Sequence, residues 1–220
     1  MVVTKSLQLV VFEHLRDKII NGELSDNEIY SETKLAKDLG VSRTPVRDAI
    51  HRLSQEGYID ILPSKGFKLH KMSVKDIEEI FQVRSAIESY CTLYIAKRYD
   101  EDKAKALFKE LDRLNKLMDN IVNSSRNIDR FIKYDFHFHM SIVEYADNSV
   151  FKNIFETYTY RIQKLAKLSL GHENRMENTC KEHSDILEAM KRGDIDEIYD
   201  ITMVHMETPK YINLKDLENL

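Results

Sequence analysis

The stretch 31–71, SETKLAKDLGVSRTPVRDAIHRLSQEGYIDILPSKGFKLHK, changes its hydrophobic period part-way along. Ser31 stands before ETKLAKDL and Gly40 closes it, which predicts a short helix with a serine cap and a glycine stop. Ser42 is placed to cap a second helix, RTPVRDAIHRLSQE, closed by Gly57. Pro45 falls in its first turn, where a fixed φ and a missing N–H are tolerated. YIDIL and FKLHK are then short β-favouring segments, the second alternating apolar with polar, and PSKG joins them as a hairpin. Two short helices across a tight glycine-containing turn, followed by a hairpin, describe a winged helix-turn-helix. A small helical domain with an incidental hairpin fits the same pattern. The second helix favours the first reading, because Arg43, Thr44 and Arg47 crowd its N-terminal end, with Arg52 further along. In this motif those positions enter the major groove, where arginine pairs with guanine or phosphate. Lys65 and Gly66 fall at the hairpin tip, within reach of phosphate or the minor groove.

Upstream, Leu7, Val11, Leu15 and Ile19 recur every fourth residue before Gly22, an amphipathic helix with its stop. From Ser73 onward no strand signal appears. SVKD resembles a capping box, and six helices are expected at 74–98, 101–122, 127–146, 149–170, 173–192 and 195–208, with Asp194 and Glu197 as a second capping pair and Pro209 as the final stop. The expected fold is mainly α: a winged helix-turn-helix with a small hairpin wing over 1–72, and an all-α six-helix bundle over 73–220.

The composition agrees. Among 220 residues, 42% are hydrophobic and 32% charged, a globular balance, and 6 Gly with 3 Pro favour long helices. The net charge of −4 announces no nucleic acid globally, but residues 42–71 hold six basic residues against three acidic ones. Cys91 and Cys180 form no CxxC pair, as expected of small core residues in a reducing compartment. The N-terminal stretch does not look like a signal peptide, and no apolar run nears the roughly 20 residues of a membrane span. A soluble, cytoplasmic protein is expected.

SETKLAKDLGVSRTPVRDAIHRLSQEGYIDILPSKGF resembles the DNA-binding domain of GntR-family transcriptional regulators. VRSAIE at 83–88, DFHFHMSIVEYADN at 135–148, His183 and His205 resemble the all-helical FCD effector domain of that family's FadR branch. Six C-terminal helices are similar to the shorter, VanR-type members. Two departures are visible: GELSDNEIY lacks the Pro-Gly common before the family's second helix, and Thr33 stands where many members carry a basic residue. The resemblance implies a homodimer on a short palindromic operator, with Ser42, Arg43, Thr44, Arg47 and Gly66 at the DNA.

DFHFH places titratable groups among phenylalanines. Ile128, Ile132, Asp135, His139 and Ile142 follow three-and-four spacing, so Asp135 and His139 share the apolar face while His137 falls elsewhere. His183 runs with Leu187 and Met190, and His205 with Ile198 and Ile201, so both point inward. One inward histidine is usually a hydrogen-bonded core residue. Three with an aspartate are harder to satisfy pairwise, and one Zn²⁺, Ni²⁺ or Mn²⁺ takes all four. FCD members that bind metal use an Asp and three His, which points the same way. Arg84, in the series Ile77, Phe81, Glu88, Cys91, and Arg161, in the series Ile154, Tyr158, Leu165, Leu168, also face inward. A buried guanidinium needs an anion. Glu88 is one candidate for Arg84; the other is a small carboxylate effector, as the FCD resemblance implies, with Asn148 as a further lining residue. The expected function is a metal-containing, ligand-responsive regulator. A regulator whose metal is structural or is itself the signal, and a metalloenzyme, are the alternatives. Against the enzyme, no HExxH motif is present and no residue stands out as a general base.

Overall fold

The computed structural model describes residues 6–219, which divide into two compact units, one through Met72 and one from Ser73. In the first, α1 (Leu7–Ile20) packs on α3 (Arg43–Gln55), α2 (Glu32–Asp38) packs on α3 as well, and β1 (Ile59–Leu62) pairs antiparallel with β2 (Gly66–Leu69). Val11, Phe12, Leu15 and Ile19 are buried, while Leu7 is exposed, so the apolar stripe of α1 begins one turn later than its fourfold spacing predicts. From α3, Val46, Ala49, Ile50 and Leu53 meet it.

The wing is anchored by a third short segment. The Tyr30 amide donates to the Phe67 carbonyl at 2.7 Å, the Phe67 amide returns to Tyr30 at 3.0 Å, and the two rings stack. This close pairing explains Gly66. Its φ is 121°, and a Cβ there would fall 2.0 Å from the Tyr30 carbonyl oxygen. No other residue type fits.

The second unit is all helix: α4 (Val74–Ala96), α5 (Asp102–Val122), α6 (Ile128–Tyr145), α7 (Ser149–Thr157), α8 (Thr159–Leu170), α9 (Arg175–Arg192) and α10 (Ile198–Glu218). Ser73 and Asp76 form the reciprocal capping box at its start. Two expectations are corrected. The helix expected over 149–170 is divided at Tyr158, which gives seven C-terminal helices rather than six. Tyr158 leaves helical geometry at φ −92° and ψ 3°, flanked by Thr157 and Thr159, whose hydroxyls donate to the Asn153 and Phe155 carbonyls. The expected stop at Pro209 does not occur either. α10 runs through it because the buried stripe Thr202, His205, Met206 continues to Pro209 and Asn213. Asn213 then donates to the Pro209 and Leu165 carbonyls, tying the second half of α10 to α8.

Gly66→Ala is expected to weaken the wing by at least about 2 kcal/mol, through backbone strain and the clash with Tyr30. Gly40→Ala, at φ 65° with nothing within 4 Å, is expected to cost about 1 kcal/mol. Hydrogen exchange at the Tyr30 and Phe67 amides reads the difference; equal acceleration in both variants refutes the role given to the close approach.

Candidate functional site

Ser42, Arg43, Thr44 and Arg47 are all exposed at the N-terminal end of α3. Ser42 holds the cap position with extended backbone, yet its hydroxyl makes no capping bond. Among the described residues, Arg43 and Arg47 have no hydrogen-bond or ion-pair partner. Free guanidinium groups beside the unsatisfied amides of a helix N-terminus form a ready site for phosphate. Arg52 is used differently: it donates to Glu56 at 2.9 Å and lies 4.0 Å over the Phe12 ring, tying α3 to α1. Lys65 is exposed at the hairpin tip, where Lys65 N bonds Leu62 O.

Inside the second unit, α6 carries Asp135 and His139 on one buried face with His137 exposed, α9 brings His183 and α10 brings His205. The Nε2 atom of His139 lies 3.3 Å from Nε2 of His183 and 3.2 Å from Nε2 of His205. Ligand atoms of the three histidines fall within 4.8 Å of one another. Asp135 Oδ1 lies 3.6 Å from His183 Nε2 and 3.9 Å from His139 Nε2.

The outer ring nitrogens decide what these inner ones carry. Glu88 Oε2 lies 2.5 Å from His139 Nδ1, and Glu182 Oε2 lies 2.6 Å from His205 Nδ1. A carboxylate accepts from an N–H, so Nδ1 bears the hydrogen in both rings and a neutral ring presents a lone pair at Nε2. Two lone pairs then oppose each other across the 3.2 Å gap, an arrangement that needs a proton or a cation between them. Burial drives His183 well below the usual imidazole range, reinforced by His205 and His139. Burial also lowers His205, against the pull of Glu182. Protonation of His183 and of His205 is therefore disfavoured. Nitrogens bound about 2.1 Å from one ion stand roughly 3.0–3.4 Å apart in octahedral or tetrahedral geometry. The donor set fits a divalent ion by tautomer at His139 and His205 and by the 3.2 and 3.3 Å spacings to His139 Nε2.

Behind the histidines lie two buried guanidinium–carboxylate pairs. Arg84 donates from Nε to Glu88 Oε1 at 2.8 Å. Burial alone would raise the Glu88 carboxyl, but Arg84, His139 and His205 outweigh it and hold it at about 2. Arg175 grips Glu182 with two bonds, 2.6 and 2.8 Å. Burial pushes Glu182 up too, and the bonds from His205 and Arg175 bring it below the usual range.

A scan of family models matches residues 7–69 to the bacterial regulatory proteins of the gntR family and residues 79–208 to the FCD domain. The chain belongs to the GntR family. This GntR regulator is 28% identical over 184 residues to the uncharacterized HTH-type transcriptional regulator YdhC of Bacillus subtilis strain 168, covering 84% of this chain and 80% of that one. It is 24% identical over 204 residues to the HTH-type transcriptional repressor RspR of Escherichia coli K12, covering 93% and 87%. Among solved structures, E. coli McbR/YncC superposes with a TM-score of 0.68 at 18% identity, covering 97% of this chain and all of the other, which is a likeness of fold. GntR regulators bind operator DNA, and no described helix is long and apolar enough to cross a membrane.

The expected effector residues separate in this regulator. Arg84 lines a cavity of about 20 Å³ with Asp135, His139, His205 and Arg175, room for an ion or a water and little more. Arg161 does not line it; its Nη1 lies 3.8 Å from Asp76 Oδ1, beside the Tyr158 ring. The buried face runs Phe155, Ile162, Leu165 and Ser169 across Tyr158, one residue out of phase with the expected series, whose Leu168 is exposed. Asn148 caps α7, accepting from Val150 and Phe151 amides. Arg175 and Glu182 were not anticipated. Their seven-residue separation puts them on one helix face, but two opposite charges at that spacing read as a solvated pair.

Arg84→Met is expected to cost about 3–5 kcal/mol, because it leaves the Glu88 carboxylate buried with its charge uncompensated. The double variant Arg84→Met/Glu88→Leu is expected to recover part of that loss. Urea denaturation of the metal-free chain checks both, and a single variant as stable as the parent refutes the pairing.

Proposed function

We propose that this protein is a metal-containing transcriptional regulator whose operator affinity is controlled by a small organic acid bound in its helical domain. The reading assigns 1–72 to DNA binding and 73–220 to the FCD metal and effector domain. The observation that carries it is the convergence of three buried imidazoles whose Nε2 atoms lie 3.2 and 3.3 Å apart across His139. Asp135, His139, His183 and His205 hold one divalent ion, zinc, nickel or manganese, since imidazoles outnumber oxygen donors. The ion supplies positive charge between the lone pairs and open coordination positions. Arg84, on the cavity wall beside Asp135, is the guanidinium placed to take the acid's carboxylate. Arg161 and Asn148 drop out of that role in the present conformation. The acid is larger than the cavity, so its entry requires side chains to move apart. Residues Ser42, Arg43, Thr44 and Arg47 read the operator, with Lys65 reaching phosphate; Gly66 serves the wing's backbone. One recognition helix reads few base pairs, which favours a homodimer on a palindromic site in the cytoplasm. The relatives are named regulators and repressors, which supports a binding function over an enzymatic one.

Metal content by mass spectrometry tests the centre. His139→Ala, His183→Ala and His205→Ala are expected to lose the ion and His137→Ala to keep it. Full occupancy in the first three removes the site.

For the DNA face, Arg47→Ala is expected to weaken operator binding by about 1–3 kcal/mol if it contacts a base, and affinity is expected to fall steeply with salt. A gel-shift series with no loss in the Arg43→Ala/Arg47→Ala double variant rejects this assignment.

A further inference from the structure

We infer that Glu88 and Glu182, neither of them a ligand, are the positioning residues that aim His139 and His205, and that Arg84 and Arg175 hold those carboxylates in place. The inference rests on the metal reading proposed above and deepens it by naming what orients the donors.

The geometry is the same twice, on different helices. Each oxygen of Glu88 has its own partner: Oε1 accepts from Arg84 Nε at 2.8 Å and Oε2 faces His139 Nδ1 at 2.5 Å. Glu182 accepts from Arg175 Nη1 through Oε1, and its Oε2 is shared between Arg175 Nη2 and His205 Nδ1. A carboxylate pinned from behind cannot swing, so it fixes both the plane of the imidazole and the nitrogen that bears hydrogen. The glutamates and arginines are themselves buried or nearly so, with side chains 1% and 8% exposed for Glu88 and Arg84, 19% and 5% for Glu182 and Arg175. Water therefore offers these imidazoles little alternative partnership. Each relay also crosses between helices: Glu88 on α4 serves a histidine of α6, and Glu182 on α9 serves one of α10.

His183 shows what the site lacks without such a relay. Its Nδ1 is buried without a hydrogen-bond partner among the described residues, and its ring is held by stacking on Phe138 at 4.1 Å and 10°. Stacking fixes the plane but does not choose the tautomer. The two relays are thus the features that commit Nε2 lone pairs to the centre.

The test is Zn²⁺ affinity of the full chain by chelator competition, with the visible spectrum of the Co²⁺-loaded protein and the melting temperature of the metal-free protein measured in parallel. Glu88→Gln and Glu182→Gln retain shape and an acceptor oxygen without the charge. Each is expected to bind Zn²⁺ about 10–100-fold more weakly, with an altered Co²⁺ spectrum. Glu88→Leu and Glu182→Leu remove the acceptor and are expected to bind more weakly still, whatever their melting temperatures. Glu188→Gln, an exposed position on α9 bonded to Lys191, is the control and is expected to match the parent. If the Gln and Leu variants bind Zn²⁺ as the parent does while His139→Ala and His205→Ala lose it, the positioning role is wrong and the metal centre stands. If the histidine variants also bind as the parent does, the metal reading itself fails.

Discussion

Three imidazole nitrogens that face one another in a buried interior are the constraint on which the helical unit turns. Such groups are tolerable in a core only when something compensates them. Here the outer nitrogens of two rings are already committed to carboxylates, and those carboxylates to guanidinium groups. Glu88 and Glu182 each have a guanidinium within hydrogen-bonding distance, whereas Asp135 comes no nearer than 3.6 Å to His183. The outer nitrogens of His139 and His205 are satisfied by carboxylates, while their inner nitrogens face one another.

This arrangement sets demands on the helices around it. α4, α6, α9 and α10 each supply at least one member, so none can rotate about its axis without opening a buried ion pair. Stability and geometry are coupled, because removing one partner leaves a buried charge that costs several kcal/mol. α10 illustrates the coupling. Its interior proline removes a backbone hydrogen bond and would ordinarily end the helix, yet Pro209 lines the cavity and Asn213, one turn on, holds α8 through the Leu165 carbonyl. Burial of that last segment outweighs the local defect.

Much of this was legible from spacing. Asp135 and His139 fall four apart on an apolar stripe, and His183 and His205 lie on stripes of their own, so their burial followed from helical period alone. The winged unit was equally open to reading, since Ser31, Gly40, Ser42 and Gly57 punctuate it and PSKG turns its hairpin. What escaped depended on tertiary contact. The break at Tyr158 is a local departure of the backbone, φ −92° and ψ 3°, that the apolar period does not record. Leu168 and Arg161 were misphased because the series was started from Ile154, whereas Phe155 is the residue that is buried. Arg175 and Glu182 carry charges that usually face water, and only the approach of His205 from another helix makes them interior residues. The close approach of Gly66 to the Tyr30 backbone was likewise not visible in the sequence.

The two units use arginine in opposite ways, and the contrast bears on what the cavity admits. Arg43 and Arg47 are exposed and free among the described residues, so an incoming phosphate displaces only water and counterions. Arg84 and Arg175 are buried and already paired, so an anion entering beside them competes with, and at Arg175 replaces, a carboxylate the protein itself provides. Such a replacement is nearly balanced only for a ligand that offers the same planar, two-oxygen acceptor, because guanidinium recognises that shape through parallel N–H bonds. On the proposed reading, selection for carboxylic acids thus follows from what occupies the site in their absence.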